Sequence, residues 1–224
     1  MSRAVPELSP SVVRLLSRPR PTWRGRLHRS AFIAWLPVGV LTVVAADGVR
    51  ARVATAVFAV GIAFMFGVSA LVHWKAWPAA RYHRLIQVDH TAIFACLATT
   101  ATPVALLALH GAPRAILLLG VWTGAVLGSV VEWLPFHPPR GLTNTLFLLL
   151  GWLPVPLLPW IWRGTGAVTF GLLAAGGLVY TVGAVIVGAQ RPDPAPLVFG
   201  YHEVWHVFVI VAVALHEAMV VCLA

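Results

Sequence analysis

Apolar residues run in seven long blocks along this chain, and polar residues collect in the short gaps between them. The blocks cover about 30–46, 53–74, 88–110, 114–134, 143–162, 166–189 and 203–223. Each is close to the roughly 20 residues that a membrane-spanning helix needs. The pattern predicts seven helices joined by short connections. Backbone groups have no water to bond in lipid, so the helix, which satisfies them internally, is the expected element. The expected fold class is an all-α membrane protein, a seven-transmembrane-helix bundle. Residues 1–29 are expected to form a basic cytoplasmic segment and residues 30–224 the transmembrane domain.

Composition agrees. Of 224 residues, 59% are hydrophobic and 10% charged, whereas soluble domains carry about 25% charged residues. The net charge of +9 is uneven along the chain. Arg3, Arg14, Arg18, Arg20, Arg24, Arg26 and Arg29 precede the first block. Lys75, Arg81 and Arg84 follow the second block, Arg140 the fourth and Arg191 the sixth. These twelve share one side of the predicted topology, against Arg50, Arg52, Arg114 and Arg163 on the other. Basic residues stay cytoplasmic, so the N-terminus is expected inside a plasma membrane, against anionic headgroups. Membrane lipids are the expected partners. Nucleic acid is not, because the basic segment lacks interleaved aromatics and a folded platform. A monomer or weak homo-oligomer is expected.

Residues 20–46 also imitate a signal peptide, with a basic start and a small-residue end at Ala45-Ala46. Six further blocks follow, which favours a retained first helix. Gly120, Gly124 and Gly128 form a small-residue stripe, as do Gly171, Ala175, Gly176, Gly177 and Gly183. Both are read as close helix packing within one chain. Pro103 and Pro154 are expected to kink their spans. Cys96 and Cys222 are read as packing residues, with no disulfide between them.

The chemistry gathers at one depth. Ser69 and His73 close the second block, Asp89 opens the third, and His202 and His206 open the seventh. All five fall at the same face of the bundle although they lie up to 137 positions apart. Ionisable groups at a membrane span are costly and tend to be functional. Histidines four apart share a helix face, which is metal-ligand spacing. His73, His202 and His206 are therefore candidate ligands for zinc, with a fourth position open for water. Ser69 lies one turn before His73, where its hydroxyl could bond that water. Asp89 could accept a proton from it or orient a ligand. The alternative is that these polar residues only bridge helices near the interface.

His202-Glu203-Val204-Trp205-His206 also fits the zinc-protease pattern, with Glu203 as base. That scheme needs a third ligand. His216 is ten residues on, ~15 Å along the helix axis, and out of reach; Asp89 keeps the scheme open. Glu203 is otherwise expected to pair with a basic loop residue or face the cytosol. His28 could support the site or only mark the interface. His90 is expected to pack or meet headgroups, Glu132 to snorkel at the interface, and His216 to bond a neighbouring helix.

Several segments together carry a family resemblance. They are Trp23-Arg24-Gly25-Arg26-Leu27-His28, Ser69-Ala70-Leu71-Val72-His73, Asp89-His90-Thr91-Ala92-Ile93, Thr102-Pro103, the stretch Gly176 to Gly183, and Phe199-Gly200-Tyr201-His202-Glu203-Val204-Trp205-His206. The chain resembles the bacterial hemolysin III proteins, within the progestin and adipoQ receptor superfamily. The resemblance implies a seven-helix bundle with the N-terminus inside and zinc near the cytoplasmic face. It also implies His73, His202 and His206 as ligands, with Ser69 and Asp89 at the accompanying polar positions. Val72 and Ala101 stand where the family usually has Tyr. The superfamily's likeness to ceramidases implies hydrolysis of a lipid amide. A non-enzymatic regulator of the membrane with a structural zinc, and a cytolytic pore, are the alternatives.

Overall fold

The computed structural model describes residues 20–135, 139 and 141–224. Residues 1–19 of the basic segment, and His137 and Arg140, lie outside the described residues. The described chain is helical. Its helices are α1 (Arg26–Ala45), α2 (Gly48–Val72), α3 (Ala79–Pro103), α4 (Gly111–Trp133), α5 (Leu142–Trp152), α6 (Leu158–Ala189) and α7 (Tyr201–Leu223). No strand occurs among the described residues; a lone bridge pairs Ala195 with Phe199.

Six helical stretches are long and apolar enough to cross a membrane: Arg26–Ala45, Gly48–Val72, Ala79–Ala108, Gly111–Trp133, Leu142–Ala189 and Tyr201–Leu223. The blocks expected at 143–162 and 166–189 are joined in the 48-residue stretch Leu142–Ala189. It is not one straight helix. A 3-10 turn, Val155–Leu157, follows Pro154, and Gly166 leaves helical geometry at φ 73, ψ 174. Such a φ is open to glycine and strained for other residues. Pro103 is followed by a π-helical turn, Val104–Ala108. Both prolines therefore disturb their helices as expected, since neither can donate a backbone hydrogen bond.

The outer surface is apolar. Val40, Val44, Val60, Leu119 and Val168 are all more than 60% exposed. Water would make that surface unfavourable and hydrocarbon would not, so this is a multi-pass membrane protein by its surface as well as its helices. Trp74, Trp133, Trp152, Trp160 and Trp162 are exposed near helix ends, where amphipathic rings meet headgroups.

The interior is built from small residues facing large ones. A Cβ on Gly128 would lie 2.3 Å from the Phe94 ring, and one on Gly124 would lie 2.6 Å from Leu150. The α4 stripe thus packs against α3 and α5 of the same chain. On α6, a Cβ on Gly176 would lie 2.4 Å from the His216 ring, and one on Gly183 would lie 2.7 Å from Trp205. This stripe brings α6 onto α7, and His216 Nε2 sits 3.3 Å from the Leu173 carbonyl across the same interface. Cys96 is buried and Cys222 exposed, and both are free.

Gly176 and Gly177 make a matched test. Gly177 has nothing within 4 Å of its missing Cβ. Gly176→Ala is expected to destabilise the bundle by about 1–3 kcal/mol through overpacking. Gly177→Ala is expected to be neutral or stabilising, because alanine is the better helix former. Thermal unfolding of both variants in one detergent reads the difference.

Candidate metal centre

Helix ends build the site. The C-terminus of α2 and the N-termini of α1 and α7 meet at one end of the bundle. His73 follows the last turn of α2. His202 and His206 lie on successive turns of α7, on one face. His28 lies in the first turn of α1. His28, His73 and His206 are buried, and His202 is half-buried.

The three predicted ligands converge. One ligand atom from each of His73, His202 and His206 lies within 4.8 Å of the others. The Nε2 atoms of His73 and His202 are 3.1 Å apart. Two nitrogens on a tetrahedral zinc, each at about 2.05 Å, stand about 3.3 Å apart. That pair is therefore close to the span such an ion requires, and the third nitrogen lies within 4.8 Å of both. Its donors are all imidazoles, which suit zinc and other borderline transition metals over calcium or magnesium. With three donors, a fourth position stays open.

His28 belongs to this cluster, and the sequence left its role undecided. Its ring stacks on His206, with centroids 3.7 Å apart and planes 10° apart. Its Nδ1 lies 2.7 Å from Ser69 Oγ. Ser69 is buried on the helix face that carries His73, as expected, and its hydroxyl is engaged by His28. The pair fixes the rotamer of Ser69 and the plane of His28, and the stack in turn restrains His206. The available clue was position: His28 sits in the basic segment's last turn, at the same end of the bundle as His73.

Asp89 is half-buried on α3. It lies close enough to His90 and Tyr82 for its charge to act on both. Among the described residues, no hydrogen bond joins it to the histidines. Helix α3 starts at Ala79, well before the apolar block expected from 88, so Asp89 occupies the third turn and not the helix end.

Glu203 is held elsewhere. It is completely buried. Its Oε1 is 2.5 Å from Arg24 Nε, and its Oε2 accepts the Gly200 N–H at 2.9 Å. Both oxygens are engaged, so Glu203 is not positioned as a base. The expected basic partner is Arg24, from the segment before α1. That segment is tied down further: the Thr22 and Trp23 N–H groups donate to Leu197 and Val198 carbonyls at 3.0 and 3.1 Å. Arg20 donates to the His73 carbonyl. Burial, and then the like charge of Arg24, lower the Arg20 pKa below its ordinary value. Gly25, at φ 80, passes so close that a Cβ would lie 2.3 Å from the His73 oxygen. Residues 20–25 thus form a strap over the histidines.

A second polar cluster lies at the same end. His90 Nδ1 is 2.7 Å from Glu132 Oε2, Gln87 Nε2 donates to the Glu132 carbonyl at 2.7 Å, and Thr143 donates to the Glu132 carboxylate. His90 packs, as one of its two expected roles had it, with its ring 5.8 Å from that of Phe147, whereas Glu132 is bonded to neighbouring helices where snorkelling was expected. Three helix ends converge there, and each group finds its partner in a neighbouring helix.

Fold and site together describe a helical membrane protein with a histidine cluster at one end of the bundle. A family model described as "Haemolysin-III related" matches residues 16–217. Hemolysin-3 of Bacillus cereus is 29% identical over 161 residues, spanning 71% of this chain and 70% of the relative. A Hemolysin-3 homolog of Bacillus subtilis (strain 168) is 30% identical over 155 residues, 69% of each. The chain belongs to the haemolysin-III family.

Arg24→Ala would strand the Glu203 carboxylate in the interior. A loss of about 3–5 kcal/mol of stability is expected. Arg24→Ala combined with Glu203→Gln is expected to recover part of it, because the uncompensated charge is gone. Denaturation midpoints of the single and double variants give the coupling.

Proposed function

We propose that this protein is a zinc-dependent lipid hydrolase of the plasma membrane, with His73, His202 and His206 as the metal ligands. The observation that carries the reading is the convergence of these three imidazoles, from α2 and α7, onto one point beside a strap of basic residues. When bound, zinc supplies a Lewis acid and a nucleophile near neutral pH. The chain's own groups do the rest. His28 and Ser69 hold the ligand side chains in register through the stack on His206 and the hydrogen bond to Ser69. Asp89 takes a proton from the attacking water and passes it to the nitrogen that leaves as the amide C–N bond breaks, and a lipid amide of ceramide type is the substrate class. Reaching that role requires a short movement of α3 or a bridging water, because Asp89 has no direct bond to the cluster.

The chain is proposed to cross the membrane seven times with its N-terminus inside. The break at Gly166 supports this: a continuous 48-residue helix would be ~72 Å long, against about 30 Å of hydrocarbon. The bias of basic residues toward the site end supports the orientation.

A second reading is a non-enzymatic membrane regulator in which zinc only staples α2 to α7. The separation of Asp89 from the histidines favours it. The two readings differ at Asp89. His202→Ala and His206→Ala are each expected to lower bound zinc from one per chain to near zero in metal analysis. Asp89→Ala is expected to keep zinc and to lose at least about a hundredfold of lipid-amide turnover. Unchanged turnover in Asp89→Ala, with zinc retained, would strike the role given to Asp89, and the absence of any zinc-dependent turnover in wild type would remove the hydrolase and leave the staple reading standing.

A further inference from the structure

A cavity of about 840 Å³ opens beside His73, between the strap and the loop that precedes α7. Its wall carries Arg20, Arg24, Lys75 and Arg191, against one lining carboxylate, Asp193. A second cavity of about 410 Å³ shares Arg20, Arg24 and His73, and adds Arg26 and Arg29 with no carboxylate. A basic membrane face is ordinary. Here, however, the charges ring a concavity of small-ligand size, and its floor is a residue of the histidine cluster.

The charges are only partly neutralised. Arg24 is paired with Glu203. Asp193 accepts the Tyr201 N–H at 2.9 Å. No carboxylate forms an ion pair with Arg20, Lys75 or Arg191 among the described residues. Lys75 is exposed and lies over the Trp77 ring, 4.6 Å from its centroid. Even with Glu203 and Asp193 counted, two positive charges remain over. Arg20 also links the wall to the histidines, since it donates to the His73 carbonyl. A guanidinium has five donors in a planar fork, so that bond leaves others for a second acceptor.

We infer that this vestibule binds a phosphate-bearing anion, presented as the headgroup of a membrane lipid whose acyl linkage then lies at the histidine cluster. The chemistry is that of phosphate recognition: two or more cations converge, and planar guanidinium groups match the oxygens of a tetrahedral anion. The vestibule sits at the end of the bundle where an inner-leaflet headgroup would lie. The inference replaces the neutral head of a ceramide-type lipid with a phosphate-bearing one and keeps the acyl linkage at the histidine cluster; it rests on the proposed zinc site only for what happens after binding.

The test uses the full chain in a neutral detergent. Binding is measured for short-chain phosphatidic acid, phosphatidylcholine with the same acyl chains, and inorganic phosphate, with zinc per chain assayed alongside. Wild type is expected to prefer phosphatidic acid over phosphatidylcholine by about tenfold or more. Lys75→Gln with Arg191→Gln, at two exposed positions that are not candidate ligands, is expected to abolish most of that preference with zinc unchanged. Competition by inorganic phosphate at equal strength would assign the site to free phosphate and keep the phosphate chemistry. No preference in wild type, or a preference that survives in the double variant and in its Lys75→Glu, Arg191→Glu counterpart, overturns the inference. Loss of zinc in His202→Ala with the preference retained would separate the vestibule from the metal site. Zinc retained in that variant would instead strike the metal reading alone.

Discussion

Much of the site end depends on one buried charge. Glu203 is removed from solvent at the start of α7, and a carboxylate there is tolerable only with full compensation. Arg24 supplies the opposite charge and the Gly200 N–H a second hydrogen bond. Because Arg24 precedes α1, its pairing draws the strap across the top of α7. The strap brings Gly25 onto the His73 carbonyl and Arg20 beside it. The same constraint therefore closes the bundle, orders residues 20–25 and shapes the cavities above the histidines.

The rest of the bundle solves the membrane problem with small residues. Between helices in lipid, apolar contact alone is a weak drive, so close packing and satisfied polar groups decide association. Glycines at 128, 176 and 183 admit Phe94, His216 and Trp205, whose bulk sets the spacing of α3–α4 and α6–α7. Polar groups at helix ends are satisfied laterally. Glu132 gathers His90 and Gln87 from α3 and Thr143 from α5, and Trp35 donates from α1 to the Ala59 carbonyl of α2 at 2.9 Å. These bonds run between helices, so they fix the relative rotation that single-helix propensities leave free.

The histidine cluster is best understood as four residues and not three. Stacking His28 on His206 and bonding it to Ser69 places a second layer behind the candidate ligands. Such a layer orients imidazoles and limits the geometries that the cluster can offer a metal. Ser69, in this arrangement, serves the ligands' orientation. Of the candidate ligands, His73 lines the basic vestibule.

Much of this was legible in the amino-acid sequence. The apolar blocks announced a helical membrane protein because length and hydropathy are local properties of the chain. The spacing of His202 and His206 followed from helix geometry, and their meeting with His73 followed from counting helix ends. The two glycine stripes were readable for the same reason. Four things needed the tertiary structure. Glu203 pairs with Arg24, one basic residue among seven in the N-terminal segment, and only packing selects it. His28 joins the cluster because α1 and α7 approach at one rotation out of many. His90 and Glu132 meet because α3 and α4 lie side by side. Asp89 is not among the converging ligand atoms, which counting helix ends could not tell. Sequence determines which residues can reach a given depth; the packing of helix on helix decides which of them touch.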